Sequence, residues 1–397
     1  MQEVRVNRKA ARRVASGHPW IFESDVLDNG GAEAGAAVHV VDLKGRSLGT
    51  AHFSAASQIA LRLLSRGVEE IGREFFLGRL AAAEAHRRRV VRGTDAYRVV
   101  HGEGDLLPAL VVDRYRDYLV LQTLNQGMDA ARDWIVASLV ELFSPRGIVA
   151  RNDAAVRARE ALPLETGVVY GDVPDSVEFE MNGLRLHADL LHGQKTGAFL
   201  DQRENYVAAA RHVRGKALDC FTSTGGFALH LAPVCESVEA LDSSGGALAT
   251  AGRNAALNGI SNIEFREADI FVVLAAYASA RRQFQTVVLD PPAFAKSRST
   301  VEDALRGYKE INLRALRLLG PGGMLVTCSC SQRVTEATFL ELVAQAALDA
   351  GRQLRVLERR TQAQDHPILL TVPETHYLKC IIWKCCSVTS SAATAIP

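Results

Sequence analysis

No stretch of this chain approaches the roughly 18 consecutive apolar residues of a membrane span, and its polar, basic N-terminus lacks the apolar core of a secretion signal. The expected compartment is the cytoplasm, with no membrane partner. Metal-ligand spacing is also missing. The seven cysteines, at 220, 235, 328, 330, 380, 385 and 386, are odd in number and scattered. Cys328 and Cys330 stand too close for a zinc knuckle, and no histidine cluster accompanies them, so no metal is expected and a reducing compartment suits the thiols. Net charge is nearly absent as well, at +1. That total neither favours nor excludes nucleic acid, because clusters rather than sums meet phosphates. No internal repeat is evident.

What is present is enough chain, 397 residues with 48% hydrophobic content, for two or three domains with separate cores. Residues 217–231 organise the rest. They read as a buried strand ending at Asp219 and Cys220, a tight turn over Thr224, Gly225 and Gly226, and a helix opening at Phe227. Two glycines let the backbone turn sharply against a ligand, and the helix offers free N–H groups at its start. The pattern is not G-x-G-x-x-G, and alone it fits an ordinary strand-to-helix turn equally well. The following strands add to it. Residues 237–242 end in Asp242, placed as an acid that hydrogen-bonds a ribose diol would be. Residues 263–269 end in Asp269, and residues 286–290 end in Asp290, followed by Pro291 and Pro292.

Four successive strands each finishing in Asp resemble the S-adenosylmethionine-dependent methyltransferases. With Asp290-Pro291-Pro292 after the fourth strand and Thr327-Cys328-Ser329-Cys330-Ser331 after the fifth, the chain resembles the bacterial 23S ribosomal-RNA cytosine-5 methyltransferases over almost its whole length. The resemblance implies an α/β fold: a Rossmann-like methyltransferase domain preceded by a small PUA-like β-barrel and a small α/β middle domain. The expected boundaries are 1–68, 69–174 and 175–384, with a tail at 385–397 that is small in side chain and weakly patterned, expected to be disordered and assigned no function. The implied cofactor is S-adenosylmethionine, leaving as S-adenosylhomocysteine. Its expected contacts are Asp219, Phe221, Thr224, Gly225, Gly226, Asp242, Asp269 and Asp290. Lys195, Thr196, Gly197, Asp201, Gln202 and Arg203 match a family segment of the form K-T-G…D-Q-R. Gln202, Thr196 and Arg203 join the cofactor set, and Lys195 the RNA set.

Residues 1–65 alternate polar and apolar in short runs broken by glycine turns, the rhythm of a small β-rich domain. Its first segment carries Arg8, Lys9, Arg12 and Arg13 and then the aromatic cluster around His18 and Trp20. Cations beside aromatics suit phosphate contact plus base stacking, although a solvated basic end beside an ordinary core has the same composition. Residues 18–22 and 57–59 resemble the PUA domain, which implies RNA binding by Arg8, Lys9, Arg12, Arg13, His18 and Trp20. Residues 69–91 read as a helix ending in Arg87, Arg88 and Arg89, suited to the helix dipole or to RNA. A small α/β region follows, in which Arg151, Arg157 and Arg159 are expected as rim charges. Asn182-Gly183 marks a hairpin, and Asp201 is expected to cap the helix of 202–213.

Carbon 5 of a pyrimidine is too weak a nucleophile to take a methyl group unaided. A thiolate adding at carbon 6 makes the ring enamine-like, and loss of the carbon-5 proton later expels the thiol. Cys328 and Cys330 both stand at the right strand end, and two residues apart in an extended segment they face the same side, so alternation does not choose. The family motif Ser-Cys-Ser falls on Ser329-Cys330-Ser331 and names Cys330. A related branch carries Thr-Cys-Ser, which fits Cys328. By resemblance Asp290 meets the N3/N4 edge of the cytosine. Asp-Pro-Pro also serves methyltransferases of purine amines, so an N-methyltransferase of an rRNA guanine or adenine is the alternative. A non-catalytic RNA-binding assembly factor is the third reading, against which the full set of acids argues. Phe294, Lys296, Arg306, Tyr308 and Lys309 are candidate RNA contacts or an ordinary loop and helix. The family further implies 23S rRNA or a large-subunit assembly intermediate as partner, and a homodimer.

Overall fold

A computed structural model describes residues 1–294 and 301–386, in two compact units: 1–200 with 364–375, and 201–363 with the chain from 376 onward. Lys296 and the expected tail from 387 lie outside the described residues.

The first unit holds a six-stranded sheet in the order Trp20–Ile21, Leu61–Ser65, Ser47–Phe53, Ala37–Val41, Glu3–Val6 and Val26–Asp28. The basic segment is a helix, Arg8–Ala15, not part of the β rhythm. Asn7 caps it by accepting from the Ala10 amide at 2.9 Å. Ala10 and Val14 face the core, which leaves Arg8, Lys9 and Arg12 exposed on the outside. A five-stranded sheet follows, ordered Glu165–Gly171, Gly147–Asn152, Tyr118–Thr123, Leu110–Tyr115 and Ala96–His101. Helices Arg73–Val90 and Arg132–Phe143 bury Phe76, Leu80, Ile135 and Leu139 in the same hydrophobic core as strand residues Val100 and Val112. Asn182 and Gly183, both at positive φ, turn the hairpin of Val177–Met181 and Leu184–Ala188.

Two arginine expectations fail here. Arg151 and Arg157 are not rim charges but buried side chains. Arg157 donates to Asp129 at 2.8 Å and to the Thr123 hydroxyl at 3.1 Å, and Arg151 ties the carbonyls of Leu190 and Gly193. A buried guanidinium survives only with such partners, and sequence pattern does not reveal them. Arg87 is likewise buried, paired bidentately with Asp105, so of the three helix-end arginines it is not available to RNA.

The second unit opens with helix α1, Arg203–Ala210, and then builds one seven-stranded sheet. Its strands are β1 Lys216–Cys220, β2 Ser237–Asp242, β3 Ile263–Glu267, β4 Phe284–Leu289, β5 Leu319–Ser329, β6 Leu354–Arg360 and β7 Lys379–Cys385. The order is β3-β2-β1-β4-β5-β7-β6, parallel except for β7, which runs antiparallel to both β5 and β6. Helices α2 Gly226–Leu231, α3 Gly245–Leu257, α4 Ile270–Ser279, α5 Val301–Leu318 and α6 Glu336–Asp349 fill the crossovers. The central strands read as unbroken apolar runs because both faces are covered, as in Val287, Val288 and Leu289. On α5, Tyr308, Ile311, Ala315 and Leu318 recur at helical spacing and are all buried.

Strand order reverses between β1 and β4, so the crevice at their carboxyl ends is the place where this topology binds ligands. Asp201 does not cap α1. It belongs to the turn Leu200–Gln202, and its carboxylate accepts from the Tyr377 hydroxyl at 2.8 Å. Among the described residues no helix is long and apolar enough to cross a membrane.

Candidate active site at the carboxyl ends of the sheet

The loop between β1 and α2 is held in a conformation most residues avoid. Phe221 (φ 67°), Ser223 (φ 49°) and Gly225 (φ 89°) all adopt left-handed backbone, which for Phe is an outlier of the kind that marks ligand loops. Three groups hold it. Asp242 accepts the Ser223 amide with one oxygen at 2.8 Å and the Ser244 amide with the other at 2.9 Å. Asp219 accepts the Thr222 hydroxyl at 2.6 Å and the Ala228 amide at 3.0 Å, both on Oδ2. Asn254 reaches the Thr224 carbonyl at 3.3 Å. Behind the loop, a Cβ on Gly226 would stand 2.3 Å from the Tyr206 hydroxyl, so no side chain fits there. Tyr206 stacks on His230, whose Nδ1–H donates to the Gly226 carbonyl at 2.7 Å. Burial lowers the His230 pKa to about 4 and keeps the ring neutral.

Asp219 Oδ1 is fully buried and has no hydrogen-bond partner. Burial pushes its carboxyl up to about 7, the Thr222 hydrogen bond opposing and the nearby Asp290 and Asp242 adding to the rise. A buried acceptor beside a loop that excludes a Cβ fits a polar ligand with a hydrogen-bond donor.

Next to the loop, Phe221, Ser243, Asp269, Ile270, Pro292 and Phe294 line a cleft of about 490 Å³. The expectation that Asp269 ends a strand needs adjustment, since β3 stops at Glu267 and Asp269 caps α4, accepting the Val272 amide at 3.2 Å. On the other side of β1, Gln202 donates to Asp290 at 2.9 Å. Asn205 holds Gln202 at 2.6 Å, and Arg360 holds Asn205 at 2.9 Å. Asn205 and Arg360 were not anticipated. The spacing of Gln202 and Asn205, three apart at a helix start, was the available signal.

The two candidate nucleophiles differ. β5 ends at Ser329, so strand alternation stops before it reaches Cys330. Cys328 is buried inside the sheet opposite Cys380 of β7. Burial, reinforced by the Cys380 thiol and by Asp290, pushes Cys328 well above the ordinary thiol value. Cys330 is partly exposed, its sulfur 3.9 Å from the Pro291 carbonyl.

Thr196 and Lys195 belong to the first unit. The Thr196 hydroxyl donates to Asp113 at 2.5 Å, and the Lys195 ammonium lies 4.1 Å over the Phe199 ring. Arg203 is buried at the start of α1. Of the RNA candidates, Arg13 pairs with Asp25 at 2.9 Å, His18 with Glu374 at 3.2 Å, and the Trp20 indole donates to Glu103 at 2.8 Å. Tyr308 is buried, and Lys309 pairs with Asp349 at 2.8 Å.

Comparison with known proteins agrees with this reading of the fold. Residues 4–66 match a PUA-like domain, and residues 120–381, well over half the chain, match the S-adenosylmethionine-dependent methyltransferases. Ribosomal RNA large subunit methyltransferase I of Tolumonas auensis is 42% identical over 376 residues, 92% of this chain and 94% of that protein. Its namesake in Shewanella amazonensis is 43% identical over 374 residues, with the same coverage. Among solved structures, one complexed with SAH shares the fold at a TM-score of 0.84 and 19% identity, covering 97% of this chain and 100% of that one. A solved chain from Streptococcus mutans matches at 0.83 and 19%, with the same coverage. The cofactor is therefore S-adenosylmethionine, and the glycine loop, the strand-end acids and the unpaired Asp219 oxygen are a fitting place for it. This chain belongs to the family of the ribosomal RNA large subunit methyltransferases I, S-adenosylmethionine-dependent enzymes that carry a PUA-like domain.

Proposed function

We propose that the enzyme methylates carbon 5 of a cytosine in the RNA of the large ribosomal subunit, with Cys330 as covalent nucleophile. The observation that carries the choice is the contrast at the end of β5: a buried Cys328 inside the sheet and a partly exposed Cys330 beyond it. Cys386, also partly exposed, follows the far end of β7 and so stands at the opposite end of the strands from Cys330.

S-adenosylmethionine, when bound, supplies an electrophilic methyl group, and Asp219, Phe221, Thr224, Gly225, Gly226, Asp242, Asp269 and Gln202 would hold it. Cys330, as thiolate, forms its sulfur bond to carbon 6, which places electron density on carbon 5. Asp290, oriented by Gln202, hydrogen-bonds the N3/N4 edge, and as the protonated acid it donates to N3 and draws density toward that edge. Once carbon 5 carries the methyl group, its proton passes to water, the C–H pair restores the carbon 5–carbon 6 double bond, and the carbon–sulfur bond breaks to release Cys330 as thiolate. The cytosine must leave its stack to reach the thiol.

Exposed Arg8, Lys9 and Arg12 on the outer side of their helix suit phosphate contact, and the PUA-like segment is proposed to hold the RNA. Relatives named for large-subunit RNA support that partner. The proposal keeps the three-part division into RNA-binding, middle and methyltransferase regions. It also includes a homodimer, for which Glu165–Gly171 is a candidate surface: an edge strand with Val168, Val169 and Tyr170 exposed.

The test is nucleoside mass spectrometry of large-subunit RNA after incubation with purified enzyme and methyl-labelled cofactor. Label is expected in 5-methylcytidine, to fall at least about a thousandfold in Cys330→Ala and within about tenfold of wild type in Cys328→Ala. Label in a methylated purine, indifferent to both changes, overturns the proposal.

A further inference from the structure

Lys379 is an unusual residue for the place it occupies. It opens β7 directly opposite Ser329, the last residue of β5, and only 3% of it is exposed. Its ammonium donates to the Ser331 carbonyl at 2.7 Å and to the Tyr377 carbonyl at 2.9 Å. Cys330 thus lies between the residue that pairs with Lys379 across the sheet and the residue that Lys379 hydrogen-bonds.

A buried ammonium is costly unless a counter-charge accompanies it. Among the described residues no carboxylate lies within ion-pair distance of Lys379. Glu336, the acid that acts on it from farther away, is already paired with Arg359. Two carbonyls satisfy two of the three N–H donors and neutralise nothing. A lysine serving only to stabilise the fold would be expected to have its own carboxylate. Besides Glu336, the group whose charge acts on Lys379 is the sulfur of Cys330. Burial lowers the lysine to about 8, with the charges of Cys330 and then Glu336 opposing that fall. The group stays mostly protonated at neutral pH.

We propose that Lys379 is a positioning residue that holds Cys330 as a thiolate, its buried ammonium lying against the Ser329-Cys330-Ser331 turn. This rests on the reading of Cys330 as nucleophile. The thiol loses its proton to water, and the ammonium–thiolate pair that remains attacks carbon 6. An opposite charge at close range lowers a thiol from its ordinary value of about 8.5 into the range where it reacts at neutral pH. The other titratable and charged groups around the pair are Glu336 with Arg359, Asp290, which precedes the Pro291 carbonyl at the Cys330 sulfur and whose negative charge opposes the thiolate, the Tyr308 hydroxyl, which bonds Ser331 at 3.0 Å, and the buried thiols Cys328 and Cys380.

The experiment follows alkylation of Cys330 by iodoacetamide against pH in the full-length protein, read on the Cys330 peptide by mass spectrometry. Wild type is compared with Lys379→Met and Lys379→Arg. The midpoint is expected to rise by about one unit in Lys379→Met, making alkylation about tenfold slower at pH 7, and to stay near wild type in Lys379→Arg. An unchanged midpoint in Lys379→Met overturns the proposal. Should that variant not fold, linkage gives the reciprocal measurement. In Cys330→Ser the Lys379 midpoint for acylation must fall, and if it stays at the wild-type value the proposal is equally overturned. Neither readout depends on turnover, so activity surviving in Cys330→Ala would remove the nucleophile reading while leaving the charge pairing to be judged separately.

Discussion

Asp219 joins the stability of the second unit to its ligand chemistry. Burial raises its carboxyl from the usual 3.8 to about 7, so the folded state holds a proton that the unfolded chain releases. The stability contributed by this proton is complete below about pH 4 and is lost as pH rises through about 7. Asp219→Asn is expected to flatten the dependence of the urea midpoint on pH between 4 and 7 and to weaken binding of S-adenosylhomocysteine. A wild-type slope unchanged by the substitution would contradict this. The placing of Asp219, Asp242 and Asp290 at strand ends was legible, because each closes an apolar run, whereas Asp269 lies past the end of β3. The distinction between Cys328 and Cys330 was not, because it depends on the strand stopping at Ser329. A role for Lys379 was not legible either, because it requires knowing that no carboxylate lies within ion-pair distance of it among the described residues.

The strand–turn–helix of β1 and α2 depends on one absent side chain. Gly226→Ala places a methyl group against the Tyr206 ring, which Phe227 and His230 hold in place. Overpacking of this kind costs about 1–3 kcal/mol. Calorimetric titration is expected to show at least about tenfold weaker binding of S-adenosylhomocysteine, while Gly246→Ala, where a Cβ meets open space, binds as wild type. The central parallel strands were readable from sequence because they are apolar on both faces. The less regular elements were not: β3 and β6 carry charges on partly exposed faces, α4 follows an acid that looked like a strand end, and half of helix Arg8–Ala15 is Arg or Lys. Charged edges and caps are fixed by neighbours that periodicity does not show.

For the molecule as a whole, two units predict two responses to ligand. Trp383 lies on β7, whereas Trp20 and Trp134 lie in the first unit. In a variant with Trp20 and Trp134 replaced by Phe, tryptophan fluorescence reports the second unit alone. Saturating S-adenosylhomocysteine, at a hundred times its Kd, is expected to stabilise that signal by about 2.7 kcal/mol in urea unfolding. The proposed homodimer is tested by light scattering: Val168→Lys with Tyr170→Lys should give monomers where wild type gives dimers.

The sheet is not assembled in the order in which it is written. β7 comes last of the seven strands along the chain, yet it is inserted between β5 and β6. On a translating ribosome the glycine loop and the acids of β1 and β2 therefore have their strands long before the gap beside β5 is filled. Until β7 arrives, the edge of β5 is unpaired and the turn carrying Cys330 has no ammonium beneath it. The cofactor end of the site can form early in synthesis, whereas the end that carries the thiol is completed only with the final strand.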